Sequence, residues 1–298
     1  MAGSKLGGVI CASITPITQA LDVDVPRFKT HIDGLLADGC SFVSTFGTTG
    51  EGASFSTAEK LAALRALKDA GADMSRQVPA AMTPTLDDAA RIVMGVAELG
   101  CRAVLVLPPF YYGAPEAGIA DWFDALIART SGTTIDLLLY NIPQLSRVRF
   151  TPALVQSILA KHGDRVVGIK DSTGDVQNGV MLAKTFPQLA IFTGDDRVLP
   201  TLLANGGAGM IGGMPNVFAR DLRALFDDRT RTDLLDKQTQ RIVAVDTHGS
   251  LVALKGALAH YRGDEAYARP LPPLRALDAD GRAKLVASFA QSGFAEVA

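Results

Sequence analysis

The chain has 298 residues, 20% of them charged, with a formal net charge of -2 and both signs interspersed. It is long enough for one large α/β barrel or two modest domains, and it carries neither the basic stripe of a nucleic-acid binder nor an acidic tail. A small-molecule partner is expected, with no nucleic acid and no membrane.

The first residues, "MAGSKLGGVICASITP", hold one lysine and a short apolar stretch, below the length of a leader core or a membrane span. Cys11, Cys40 and Cys101 are odd in number, widely separated and set in apolar contexts, so no disulfide framework or CxxC metal site is readable. They fit the core of a reduced, cytoplasmic protein.

Short β-rich runs then alternate with helical patterns: "GVICASI", "SFVSTFG", "VPAAM", "RAVLVLP", "IDLLLYN", "RVVGIKD", "AIFTGD" and "GAGMIGG". Eight such runs, many of them continuously apolar, predict a parallel (β/α)8 TIM barrel, with an open doubly wound sheet as the alternative. Between them, Phe28, Ile32, Leu35 and Leu36 share one helical face, as do Ala89, Ile92, Val93 and Val96. Gly39 and Gly100 stand where glycines end helices, each followed by a cysteine and the next strand. After residue 228 the alternation stops. "TDLLDKQTQRIVAVD", "SLVALKGALAHY" and "GRAKLVASFAQSG" read as helices, so residues 1–228 are expected to form the barrel and 229–298 a C-terminal helical extension.

Five motifs fall after predicted strands, on the face where barrel active sites are built. "GTTGEG" (47–52) combines turn-forming glycines with two hydroxyls and loop amides able to hold a carboxylate, or is an ordinary strand-to-helix turn. "PPFYYG" (108–113) offers Tyr111 and Tyr112 to a pocket or an oligomer contact. Tyr140 in "LLLYNIPQLS" closes an apolar strand and could relay a proton, or pack at the rim. Lys170 ends "VVGIK": a desolvated amine there can attack a carbonyl, whereas a lysine reaching solvent would pair with Asp171. In "TGDD" (193–196), Asp195 and Asp196 could bind substrate hydroxyls or cap the next helix. His31, His162, His248 and His260 lack the spacing of a ligand set, and no HExxH or GxSxG occurs.

In this order and spacing, "GTTGE", "PPFYY", "YNIP", "GIKDS" and "GDD" closely resemble the dihydrodipicolinate synthase and N-acetylneuraminate lyase family of class I aldolases. The resemblance runs from Thr15 to the "RPLPPL" turn. It implies a barrel with a helical extension, a homotetramer built from dimers, and no metal or organic cofactor. It makes Lys170 the Schiff-base lysine for pyruvate or another 2-oxo acid and Tyr140 the proton shuttle. Thr48 and Thr49 with their loop amides become the carboxylate site, and Tyr111 a tyrosine supplied to the adjacent subunit. Gly47, Ser172, Asp195, Ile211 and Gly213 complete the implied substrate-facing set.

Within the family, dihydrodipicolinate synthases carry an arginine five places after the tyrosine, where this chain has Leu145. "YNIPQLS" is closer to the lyase pattern "YNIPALS", but Gly213 stands where the sialic acid lyases use a serine. The mixture suits aldol cleavage, condensation or dehydration of a 2-oxo-3-deoxy sugar acid or a related 4-hydroxy-2-oxo acid. The alternatives are 4-hydroxy-tetrahydrodipicolinate synthase, N-acetylneuraminate lyase and a non-catalytic 2-oxo acid binding protein.

Overall fold

A computed structural model describes residues 6–294. Eight strands form one parallel sheet: β1 (Gly8–Ala12), β2 (Phe42–Ser44), β3 (Ala80–Ala81), β4 (Ala103–Val106), β5 (Asp136–Asn141), β6 (Val166–Asp171), β7 (Ala190–Thr193) and β8 (Gly209–Gly212). Their order runs β2-β1-β8-β7-β6-β5-β4-β3. The two ends meet where Val78 N donates to Val43 O at 2.8 Å and Ala80 N to Thr45 O at 2.9 Å, so the sheet closes into a (β/α)8 barrel.

The helices α1 (Val25–Ala37), α2 (Thr57–Asp69), α3 (Leu86–Glu98), α4 (Glu116–Arg129), α5 (Pro143–Ser146) and α6 (Pro152–His162) accompany the first five strands. They are followed by α7 (Val176–Thr185), α8 (Leu199–Ala204) and α9 (Pro215–Asp227). Local chemistry fixes several starts. Ser56 and Glu59 form a reciprocal capping box on α2, and Thr151 accepts from Leu154 N with a proline in the first turn of α6.

Two apolar layers follow from strand alternation. Ile10, Ala80, Leu105, Leu138, Phe192 and Ile211 fill the barrel interior. Val9, Val104, Leu139, Ile169 and Ile191 face outward onto Ile32, Val93, Phe123 and Ile158 of the helices. All three cysteines are buried.

The second and third strands are shorter than their apolar runs. Pro79 has no N–H to give the ladder, and Phe46 turns into the left-handed region at φ 56°, which ends "SFVSTFG" as extended chain. Beyond α9, α10 (Thr232–Thr247), α11 (Leu251–Arg262) and α12 (Ala279–Gln291) match the three predicted helices. α10 and α11 bend by 110° at the break between them, and no single helix among the described residues is long and apolar enough to cross a membrane.

Candidate active site

Lys170 is the penultimate residue of β6 and points into the barrel, with 4% of its surface exposed. Gly168, two positions earlier on the same face, keeps the floor below it narrow: a Cβ there would lie 2.4 Å from Ala190 O. The ammonium does not reach solvent or pair with Asp171. That carboxylate faces the other way and accepts from Asn141 Nδ2 at 2.8 Å and Asn178 Nδ2 at 3.0 Å.

The partner of Lys170 is Tyr140, its neighbour in the parallel register of β5 and β6. Lys170 Nζ donates to the phenol oxygen at 3.1 Å and lies 4.2 Å from the ring centroid. Tyr140 is itself 1% exposed, and its hydroxyl is 3.0 Å from Thr48 Oγ1. Amine, phenol and alcohol thus form a continuous chain able to pass a proton without a free ion.

Thr48 and Thr49 belong to the turn after β2. Gly52 N closes it onto Gly47 O at 3.0 Å, and a Cβ at Gly52 would fall 1.7 Å from Phe46 O, so this position requires glycine. Thr15 Oγ1 donates to Gly50 O at 2.8 Å and ties the turn to the loop after β1.

Above Thr48 opens a cavity of about 440 Å³, within the range of small-ligand sites. Thr48, Thr49, Ser172, Asp195 and Gly213 line it. Lys170 and Tyr140 lie behind the lining and are joined to it through Thr48. Ile211 is fully buried in the barrel interior, and Gly47 acts through its carbonyl within the turn rather than as a wall. Tyr111 stands apart on the loop after β4, 77% exposed and packed edge-to-face on Tyr112.

Asp195 caps the short turn 196–198, accepting from Arg197 N at 2.9 Å, and its carboxylate also pairs with the Arg197 guanidinium at 2.6 Å. Asp196 is buried; loss of water, and then the charge of Asp195, pushes its carboxyl well above the usual carboxylate range.

Several lining residues were not singled out from sequence. Gln144, within the same "LLLYNIPQLS" stretch as Tyr140, donates to Ser172 O at 2.7 Å, and Arg197 directly follows "GDD", so their sequence positions beside the motifs are the signal that marks them. Ile242, Val245 and Asp246 of α10, Leu251 and Leu254 of α11, and Leu274 had no sequence signal. Phe46, Glu51, Tyr111, Arg147 and Ser250 adopt positive φ on the loops around this mouth. Each such residue costs about 1–3 kcal/mol, a strain that concentrates at sites under geometric constraint.

A closed barrel with a lysine amine, a phenol and a hydroxyl-bearing turn gathered at its C-terminal mouth has the arrangement of a barrel enzyme's active site. Residues 5–292 match the model of the dihydrodipicolinate synthetase family; the chain belongs to that family and, like its members, is a carbon–carbon lyase. A DapA-like lyase of Chloroflexus aurantiacus is 36% identical over 222 residues, 74% of each chain. Dihydrodipicolinate synthase of Agrobacterium tumefaciens superposes with a TM-score of 0.90 at 30% identity, covering 96% of this chain and 99% of its own. A 2-keto-3-deoxygluconate aldolase variant of Sulfolobus solfataricus shares the fold, with a TM-score of 0.85 at 22% identity over 96% of each chain.

Proposed function

We propose that the protein is a Schiff-base lyase that cleaves or forms a carbon–carbon bond of a 2-oxo-3-deoxy sugar acid or a related 4-hydroxy-2-oxo acid, with pyruvate as the common fragment. The observation that carries this reading is the hydrogen-bonded chain from the buried Lys170 Nζ through Tyr140 to Thr48 at the cavity wall, at 3.1 and 3.0 Å.

In that chemistry the Lys170 amine adds to the C2 ketone and loses water to give an iminium, while the loop amides and hydroxyls of Thr48 and Thr49 hold the C1 carboxylate. Tyr140 removes the proton of the C4 hydroxyl as the C3–C4 bond breaks. The aldehyde leaves and the electron pair enters the iminium as an enamine. Protonation at C3 and hydrolysis then release pyruvate and return the amine. Run backwards, the same steps condense pyruvate with an aldehyde.

The distal end favours an uncharged, hydroxylated chain. Arg197 is the one cation among the described lining residues, and Asp195 already engages it. Asp246 adds negative charge, and Leu145, beside the lining residue Gln144, stands 60% exposed at the sequence position where the synthases carry an arginine. An acceptor with its own carboxylate, such as aspartate semialdehyde, finds little to hold it. The direct comparison is kcat/KM for cleavage of a panel of 2-oxo-3-deoxy sugar acids against condensation of pyruvate with aspartate semialdehyde. The sugar acids are expected to win by tenfold or more, equivalent to about 1.4 kcal/mol; a preference for the semialdehyde would make the protein a synthase.

A further inference from the structure

Glu51, three residues beyond Thr48, ties the carboxylate-binding turn to the segment that follows the barrel. Its Oε1 pairs with Lys255 of α11, and both side chains are fully buried. Its Oε2 accepts from Leu271 N at 2.6 Å. Lys255 Nζ donates onward to Arg269 O at 2.7 Å, and Arg269 Nη1 donates to Ile17 O at 2.7 Å. Glu51 is held at φ 57°, a conformation that a non-glycine residue adopts only when its surroundings impose it.

The same helix also walls the cavity. Leu251 and Leu254 line it, and a Cβ added at Gly213 would meet Leu254 Cδ1 at 3.0 Å and Thr49 Oγ1 at 3.1 Å, so Leu254 and Thr49 both crowd the cavity wall at Gly213. A buried ion pair adds little net stability over apolar residues of equal volume, because two charges must leave water. What it adds is direction: a charged pair with further hydrogen bonds at both ends accepts few alternative arrangements.

We infer that Glu51 and Lys255 are a positioning pair, locking the Thr48–Thr49 turn against α11 and the 269–271 strap, so that the segment after the barrel sets how tightly the 2-oxo acid carboxylate is held. The inference rests on the Schiff-base reading above. Neither residue lines the cavity.

The test is the pyruvate concentration giving half-maximal borohydride-trapped adduct on Lys170, measured beside the melting temperature, for the wild-type protein, Glu51→Gln, Lys255→Met and the double variant. Each single variant is expected to need about tenfold more pyruvate, the scale of a small misplacement of a binding group. The double variant removes both charges while keeping volume and the acceptor for Leu271 N. It is expected to melt near the wild-type temperature yet keep the raised pyruvate requirement, separating positioning from stability. A double variant with wild-type melting and wild-type half-saturation would overturn the inference, and it decides the matter even where a single variant fails to fold. Absence of adduct in the wild-type protein would instead remove the Schiff-base reading beneath it.

Discussion

Tyr140 is the residue on which the proposed proton path turns, because its hydroxyl is bonded to both the amine and Thr48. Tyr140→Phe keeps the ring against Lys170 and deletes only that oxygen, so kcat should fall by about 10²–10⁴ with little change in stability. Thr48→Val should lower kcat less if the phenol finds water as a substitute. Steady-state kinetics beside thermal melts check both. Gly213→Ala places a methyl 3.1 Å from Thr49 Oγ1 and is expected to raise KM for the 2-oxo acid several-fold while leaving the barrel folded. His31 provides a different signature. It is fully buried, bonded to Asn216 Oδ1 at 2.9 Å, and burial lowers its pKa to about 4. Its folded value is below its unfolded one, so the unfolded chain binds more protons between the two. The contribution is complete above about pH 6.5 and is lost as pH falls toward 4, about 3 kcal/mol in all. Urea midpoints from pH 7 to 4.5 should therefore fall more steeply for the wild-type protein than for His31→Leu; equal slopes would contradict this.

Among the elements, α5, α10 and α11 shape selectivity, because they supply the distal lining of the cavity. α5 places Gln144 in the cavity wall and leaves the next residue, Leu145, exposed. Leu145→Arg should lower KM for an anionic acceptor while leaving neutral acceptors unchanged, as paired kinetics with the two would show. Much of this scale was legible in the sequence. The eight apolar runs and the three late helices carry their own periodicity, and Tyr140 and Lys170 end adjacent runs. What periodicity cannot supply is contact across the chain. Glu51 and Lys255 are brought together only by the fold, and Ile242, Val245 and Leu254 read as ordinary apolar faces until α10 and α11 turn over the mouth. Asp195 and Asp196 are adjacent in sequence yet differ in surroundings, one paired with Arg197 and one buried with its carboxyl pushed well above the usual range, because a residue of backbone separates surface from core. The short β3 shows the converse limit: Pro79 was visible in "VPAAM", but the hydrogen bonds that close the barrel around it were not.

At the scale of the whole molecule, Tyr111 and Tyr112 form an exposed aromatic pair on a strained loop at the mouth, 77% and 79% accessible in the single chain. We propose that Tyr111 enters a neighbouring subunit's site, in a homotetramer assembled as a dimer of dimers. Mixing Lys170→Ala with Tyr111→Phe protein, followed by subunit exchange, should then restore activity absent from either parent, since some sites regain both groups. Two inactive parents that stay inactive after exchange shown by sedimentation would confine each site to one chain. The central claim is the amine itself. Intact mass after incubation with pyruvate and borohydride tests it most directly, with Lys170→Ala as control. A single reduced pyruvate adduct per chain, mapped to Lys170 and absent from the variant, is the predicted result. Folded wild-type protein without the adduct, or an adduct that persists in Lys170→Ala, would contradict it.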